Sequence, residues 1–318
     1  MKRIIVTVGP AILNAGKMGI ADCGSHIYRI NGAHGTLAEV EQYILDIKKE
    51  FDNPDILIDL PGNKVRTAGL TQPIRLEKGT PFDLFPHQVN YPELHTLFKK
   101  GDVVLADDST LCFVVEHTGP TQITFVPKLD GFLRNNKGLH VKGISKNLPF
   151  LFSRDHDLIE LGKKHAVRFL GLSFVRTAED IETARKLTGA TLELIAKIET
   201  LQSVQNLNEI LRTVDSILID RGDLSTEVGL EKVPAYQRFI VEKALFYNKQ
   251  VYLATQILKN MVDKPIPTIA EMIDLYNSFK MGIHGIQLSE ETAVGLYPAE
   301  CLKVIKNVVR EIDSEIKN

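Results

Sequence analysis

Residues 194–224 run apolar, then amphipathic, then apolar again. Leu194-Ile195-Ala196-Lys197-Ile198-Glu199 and Ile217-Leu218-Ile219-Asp220-Arg221-Gly222-Asp223-Leu224 are strand-length apolar runs that finish in charged residues. Between them Leu201, Val204, Leu207, Ile210 and Leu211 recur at helical spacing, which predicts one helix over 201–211. Strand, helix, strand brings the ends of two parallel strands to one face of a sheet. Lys197, Glu199 and Asp223 are therefore expected on a common rim. One ammonium and two carboxylates suit an oxygen-seeking divalent cation that in turn holds a phosphorylated or enolic ligand.

The same alternation runs through most of the chain. Apolar runs end near Val8, Asn31, Leu60, Phe174, Ile198, Asp220, Thr255 and Ser289, and helical patterns separate them. Thr36 and Glu39 have capping-box spacing at the head of a helix expected over 36–51. Further helices are expected over 155–165, 178–187, 235–247 and 268–280, and Pro298 opens a closing one. Eight strands, each followed by a helix, is the count of an α/β (β/α)8 TIM barrel. The rhythm breaks between residues 70 and 141. There, short alternating runs (103–105, 112–115, 122–126) lie among Pro73, Gly79, Pro81, Gly101, Gly119-Pro120, Gly131 and Gly138. This predicts a small all-β domain inserted after the third strand, at 70–141, with 1–69 and 142–318 forming the barrel.

Composition narrows the function without naming it. The 318 residues are 44% hydrophobic and 25% charged with a net charge of −2, as in a globular domain that carries no nucleic-acid footprint. Cys23, Cys112 and Cys301 are far apart without metal-ligand spacing, which predicts reduced thiols. The chain opens on a strand-like run with no charged-then-apolar leader and holds no long apolar span, so a cytoplasmic location and no membrane partner are expected.

Function in such a barrel sits at the C-terminal strand ends. Those ends hold Arg29 and Asn31, then Asp59 with Lys64 and Arg66 just beyond, then Ser173 and Arg176. Lys197 and Glu199, Arg221 and Asp223, Thr255 and Gln256, and Ser289 with Glu291 follow. Several cations among carboxylates on one rim are what a metal-bound phosphorylated anion requires.

Six ordered motifs resemble those of the pyruvate kinase family. They are Val6-Thr7-Val8-Gly9-Pro10-Ala11, Arg29-Ile30-Asn31-Gly32-Ala33-His34-Gly35, Ala196-Lys197-Ile198-Glu199, Arg221-Gly222-Asp223-Leu224, Ala254-Thr255-Gln256-Ile257-Leu258 and Ser289-Glu290-Glu291-Thr292-Ala293. The inserted β domain lies where that family has its mobile lid, and Asp107-Asp108 resembles a motif inside it. The resemblance implies phosphoryl transfer from phosphoenolpyruvate to ADP, with Mg²⁺ or Mn²⁺, giving pyruvate and ATP. It implies that Glu199 and Asp223 hold the metal and that Lys197 neutralises the transferring phosphoryl and the enolate. Arg29 would grip the phosphate. The Gly222 and Asp223 amides with Thr255 would take the carboxylate, and Thr255 would deliver a proton through water to the enolate carbon. Asn31, His34 and Arg66 fall on the nucleotide side.

The third-strand motif reads Asp59-Leu60-Pro61-Gly62-Asn63-Lys64-Val65-Arg66 and resembles the family variant in which lysine replaces a glutamate. The Lys64 ammonium would then stand, beside Asp59, where a K⁺ ion otherwise sits. Ala33 and Leu60 agree, since neither offers a side-chain oxygen to K⁺, so K⁺ independence is expected. Gly32, Asn63, Ser225, Glu290 and Asp220 depart from the family's pattern, and Asp220 puts a third carboxylate beside the metal pair. The sequence stops at Asn318. The family's C-terminal regulatory domain is therefore expected to be absent, with hyperbolic kinetics and a monomer or homodimer. Two other readings stay open: a diverged paralogue using the same metal–enolate site on another acceptor or as a lyase, and a catalytically silent binding protein.

Overall fold

The computed structural model describes residues 2–14, 26–107, 110–140 and 148–315. The chain divides into two units, residues 1–62 with 153–318, and residues 63–152.

In the first unit, β1 (Arg3–Thr7), β2 (His26–Asn31) and β3 (Asp55–Asp59) precede the insertion. The inserted unit holds β4 (Ile74–Leu76), β5 (Phe82–Leu84), β6 (Val103–Ala106), β7 (Leu111–Thr118), β8 (Ile123–Pro127), β9 (Gly131–Leu133) and β10 (Leu139–His140). β11 (Phe169–Leu172), β12 (Glu193–Ile198), β13 (Ser216–Asp220), β14 (Gln250–Ala254) and β15 (Gly285–Leu288) complete the first unit.

The eight strands of the first unit close into a barrel in the order β1-β15-β14-β13-β12-β11-β3-β2. Every neighbouring pair is parallel. Its apolar centre contains Ile5, Ile27, Leu57, Phe169, Ile195, Leu218 and Tyr252, all buried and each from a different strand. Side chains alternate along a strand, so the residue two places on points to the same interior. Those residues are Thr7, Arg29, Asp59, Gly171, Lys197, Asp220 and Ala254. One layer of the barrel is thus hydrocarbon and the next, at the C-terminal ends, carries the polar chemistry.

Helix Leu37–Glu50 starts at Thr36, whose side chain accepts from the Glu39 amide at 3.2 Å while Glu39 Oε2 accepts from the Thr36 amide at 2.6 Å. Two exceptions to the expected amphipathic stretches bear on the site. The single helix expected over 201–211 is two, Leu201–Gln205 and Leu207–Thr213. Asn206 interrupts it and donates its side-chain amide to the Arg176 carbonyl at 3.0 Å, a local bond that competes with the helix. The second exception is an unexpected helix, Arg221–Val228, which springs directly from β13. Asp220 is at once the last strand residue and the cap of that helix, so the apolar pattern shows no gap between them.

The inserted unit carries an antiparallel sheet in the order β10-β6-β7-β8-β5 and a β4–β9 pair. It extends beyond the expected 70–141, because Val65 and Leu148 are buried in its core with Phe113 and Phe125, and Phe152 packs against that core. Residues 142–147, where one joint was expected, lie outside the described residues, as do Cys23 and Asp108. Asp107 is paired with Lys137 at 2.6 Å within this unit. Among the described residues no helix is long and apolar enough to cross a membrane.

Candidate active site

Lys197 is the centre of the polar layer. Its ammonium lies 3.1 Å from Glu199 Oε2 and 3.3 Å from Asp220 Oδ2, and donates to Ser173 Oγ at 3.3 Å. Burial opposes its charge, yet Glu199, Asp59, Asp220 and Asp223 together hold its pKa well above the usual lysine value.

Glu199 follows β12 directly and is fully buried. Its Oε1 accepts from the Phe174 amide at 2.7 Å. Burial, then the nearby Asp223 and Asp220 charges, push its carboxyl up to about 8 against the pull of Lys197. Asp220 goes the other way. Burial alone would raise it, but Lys197, the Thr255 hydroxyl and Arg29 bring it down to about 2. Lys197 is thus paired with both Glu199 and Asp220.

One carboxylate oxygen each from Glu199, Asp220 and Asp223 lie within 4.8 Å of one another. Glu199 Oε2 is buried and accepts no hydrogen bond among the described residues, its contact being the ion pair with Lys197. Three convergent carboxylates, one with an oxygen left unbonded, form a donor set that fits a hard divalent cation. Asp223 sits in the first turn of helix Arg221–Val228, so the amides at that helix start face the same region.

Thr255 follows β14 with φ +76°, a conformation that a β-branched residue seldom adopts, and Gln256 follows at φ +54°. Arg221 holds this turn: its Nε and Nη2 donate to the Thr255 carbonyl at 3.1 and 2.7 Å, and Nη2 donates to the Gln256 carbonyl at 3.0 Å. Its Nη1 reaches Asp274 at 2.7 Å. The Thr255 hydroxyl donates to Asp220 Oδ1 at 2.6 Å. Gly222 leaves room for that approach, since a Cβ there would stand 3.0 Å from Thr255 Cγ2.

Arg29 is buried, with Nε and Nη2 each 2.7 Å from Asp59 Oδ2 and Nη1 donating to Thr7 Oγ1 at 2.8 Å. Thr7 in turn donates to the Leu288 carbonyl at 2.7 Å. Asp59 needs the bare position at Gly171, where a Cβ would lie 2.7 Å from its Oδ1. Asn31 ends β2, its Oδ1 accepting from the Ala33 amide at 3.1 Å, and His34 is exposed on the loop that follows. Arg154 fastens this loop by donating to the Gly32, His34 and Gly35 carbonyls.

Lys64 and Arg66 belong to the inserted unit. There Asn90 accepts from the Arg66 amide at 2.8 Å and donates to the Lys64 carbonyl at 3.0 Å, and Arg66 bridges to Gly138. Two of the rim residues read from the sequence do structural work instead. Arg176 is buried in a bidentate pair with Asp180, and Glu291 accepts from the Leu258 and Ser289 amides. Thr7, Gly171 and Ser173 complete the layer but were not assigned partners from sequence. Counting two residues on from each inward apolar position would have found the first two.

The family model for the pyruvate kinase barrel domain matches residues 1–302. The chain is 35% identical over 333 residues to a pyruvate kinase of Thermotoga maritima, an alignment covering 99% of this chain and 72% of that one. It is 31% identical over 308 residues to a pyruvate kinase of Borreliella burgdorferi, covering 93% and 65%. It is 32% identical over 326 residues to one of Thermococcus litoralis, covering 97% and 69%. The chain thus spans about two thirds of the length of these curated relatives. Together with the closed eight-stranded barrel, these matches mean that the chain belongs to the pyruvate kinase family.

Proposed function

We propose that this protein transfers a phosphoryl group from phosphoenolpyruvate to ADP, forming pyruvate and ATP, with Mg²⁺ or Mn²⁺. The observation that carries the reading is the convergence of Glu199, Asp220 and Asp223 around the Lys197 ammonium, in the polar layer that also holds Arg29. In-line phosphoryl transfer asks for positioned cations more than for covalent chemistry, and this layer supplies them.

Glu199 and Asp223 would hold the divalent ion, which supplies charge neutralisation at the phosphoryl and enol oxygens when bound. Lys197 stabilises negative charge developing on the transferring group and on the enolate, from a buried position where its field is little screened. Arg29 grips the phosphate while Asp59 and Thr7 fix its guanidinium. The Gly222 and Asp223 amides and the Thr255 hydroxyl receive the carboxylate, and Thr255 relays a proton through water to the enolate carbon. Asn31, His34 and Arg66 serve the nucleotide. Lys64 supplies the positive charge that K⁺ supplies elsewhere in the family; this role, like that of Arg66, rests on the 59–66 motif.

A coupled assay with phosphoenolpyruvate, ADP and Mg²⁺ tests the reading: pyruvate should form at a rate proportional to protein. Absence of turnover with pure, metal-loaded protein would contradict it.

A further inference from the structure

We propose that the Asp220 carboxylate is a tethered occupant of the cradle meant for a substrate's carboxylate, and that it is a specificity-determining residue of this site. The inference rests on the assignment of the Gly222 amide and Thr255 hydroxyl to the substrate carboxylate made above.

Of the cradle's donors, the Gly222 and Asp223 amides and the Thr255 hydroxyl, Asp220 engages two, and it also reaches the Lys197 ammonium. Its Oδ1 accepts from Thr255 Oγ1 at 2.6 Å and from the Gly222 amide at 3.2 Å. Its Oδ2 lies 3.3 Å from the Lys197 ammonium. A hydroxyl, a helix-start amide and an ammonium are the partners an incoming carboxylate would seek. A hydroxyl carries one proton, so Thr255 cannot donate to Asp220 and to a ligand at once.

The placement follows from the backbone. Asp220 is the inward residue two places beyond Leu218 on β13, and it caps helix Arg221–Val228. Its side chain is therefore aimed at the helix start. Thr255 is brought to it by a turn that Arg221 clamps, and Gly222 clears the space between them. A ligand carboxylate must displace Asp220 from both donors and then sit beside a like charge. A ligand anion without a carboxylate meets no such competition.

The test uses full-length protein, titrated first with Mn²⁺ alone and then, at saturating Mn²⁺, with oxalate or with inorganic phosphate. Asp220→Ala empties the cradle; Asp220→Asn keeps an acceptor for Thr255 but removes the charge. Oxalate should bind Asp220→Ala at least about tenfold tighter than the unmodified protein, with Asp220→Asn between them. Phosphate affinity should change by less than about threefold, because phosphate does not need the cradle. Oxalate affinity that stays the same or falls in both variants would overturn the proposal. So would an equal gain for oxalate and phosphate, which would reduce Asp220 to a general charge effect. Loss of Mn²⁺ binding in both variants would overturn it too, by showing that Asp220 serves the metal. If Asp220→Ala does not fold, Asp220→Asn decides by the same signs. Turnover with phosphoenolpyruvate and ADP is followed in parallel, where KM should fall more than kcat changes. No turnover in any of the proteins retires the proposed reaction but leaves the oxalate titration decisive; turnover without a gain in oxalate affinity retires the cradle and not the reaction.

Discussion

The Thr255 hydroxyl donates a 2.6 Å hydrogen bond to Asp220 Oδ1 from a backbone held at φ +76°. A β-branched residue in that region is strained by about 1–3 kcal/mol, and the surrounding structure must over-determine it. Arg221 does so here, donating to the carbonyls of both Thr255 and Gln256. The strain lies at the residue assigned to receive the carboxylate and move the proton.

Replacing Thr255 by glycine sets two effects against each other. Relief of the backbone gains about 1–3 kcal/mol. Loss of a hydrogen bond to a charged carboxylate costs about 1.5–3 kcal/mol. Stability of Thr255→Gly in urea should therefore stay within about 2 kcal/mol of the unmodified protein, while turnover falls steeply. A large loss of stability would mean that the turn is not strained.

Gly32 leaves no room for a side chain. A Cβ there would lie 2.5 Å from Leu158 Cδ1 and 2.8 Å from the Asp59 carbonyl, which already accepts from the Gly32 amide at 2.9 Å. Gly32→Ala should cost about 1–3 kcal/mol in denaturant unfolding, from overpacking. An unchanged midpoint would contradict this.

Glu199 contributes a pH dependence to the metal-free protein. Its carboxyl is pushed from the ordinary 4.5 up to about 8, first by burial and then by Asp223 and Asp220. A group raised on folding adds stability that is complete below its unfolded value and is lost as pH rises through its folded value. The Tm should therefore fall from about pH 5 to about pH 8, and Glu199→Gln should flatten that slope. Asp220, held down to about 2, acts only at far lower pH. A Tm that climbs across this interval would contradict the assignment.

Lys64, Ala33 and Leu60 predict independence from K⁺. Rates in Na⁺, K⁺ and tetramethylammonium buffers of equal ionic strength should agree within about twofold, under ~0.4 kcal/mol of barrier. Lys64→Glu should depress activity, and K⁺ should restore part of it. Strong K⁺ activation of the unmodified protein would refute the replacement of the ion by the ammonium.

Much of this architecture was legible in the sequence, for identifiable reasons. Runs such as Ile56-Leu57-Ile58 and Ile217-Leu218-Ile219 are buried on both faces, so they stand out as parallel strands. Thr36 and Glu39 announced their helix because both halves of a capping box are local. Contacts made by distant residues were not legible. Nothing local to Arg29 says that Asp59 and Thr7 will hold it. The break at Asn206 and the helix beginning at Arg221 depend on side-chain bonds that apolar periodicity does not register. The inserted unit reaches beyond 70–141 because Val65 and Leu148, assigned to the barrel by their place in the sequence, pack in its core.

The most direct measurement of the central claim is ATP formed from phosphoenolpyruvate and ADP by Mg²⁺-loaded protein, run beside Lys197→Met. The unmodified protein should form ATP and pyruvate in equal amounts. The variant should be slower by about 10²–10³ or more, since it lacks the ammonium that meets the developing charge. Equal rates in the two proteins, or no ATP from the unmodified one, would contradict the account.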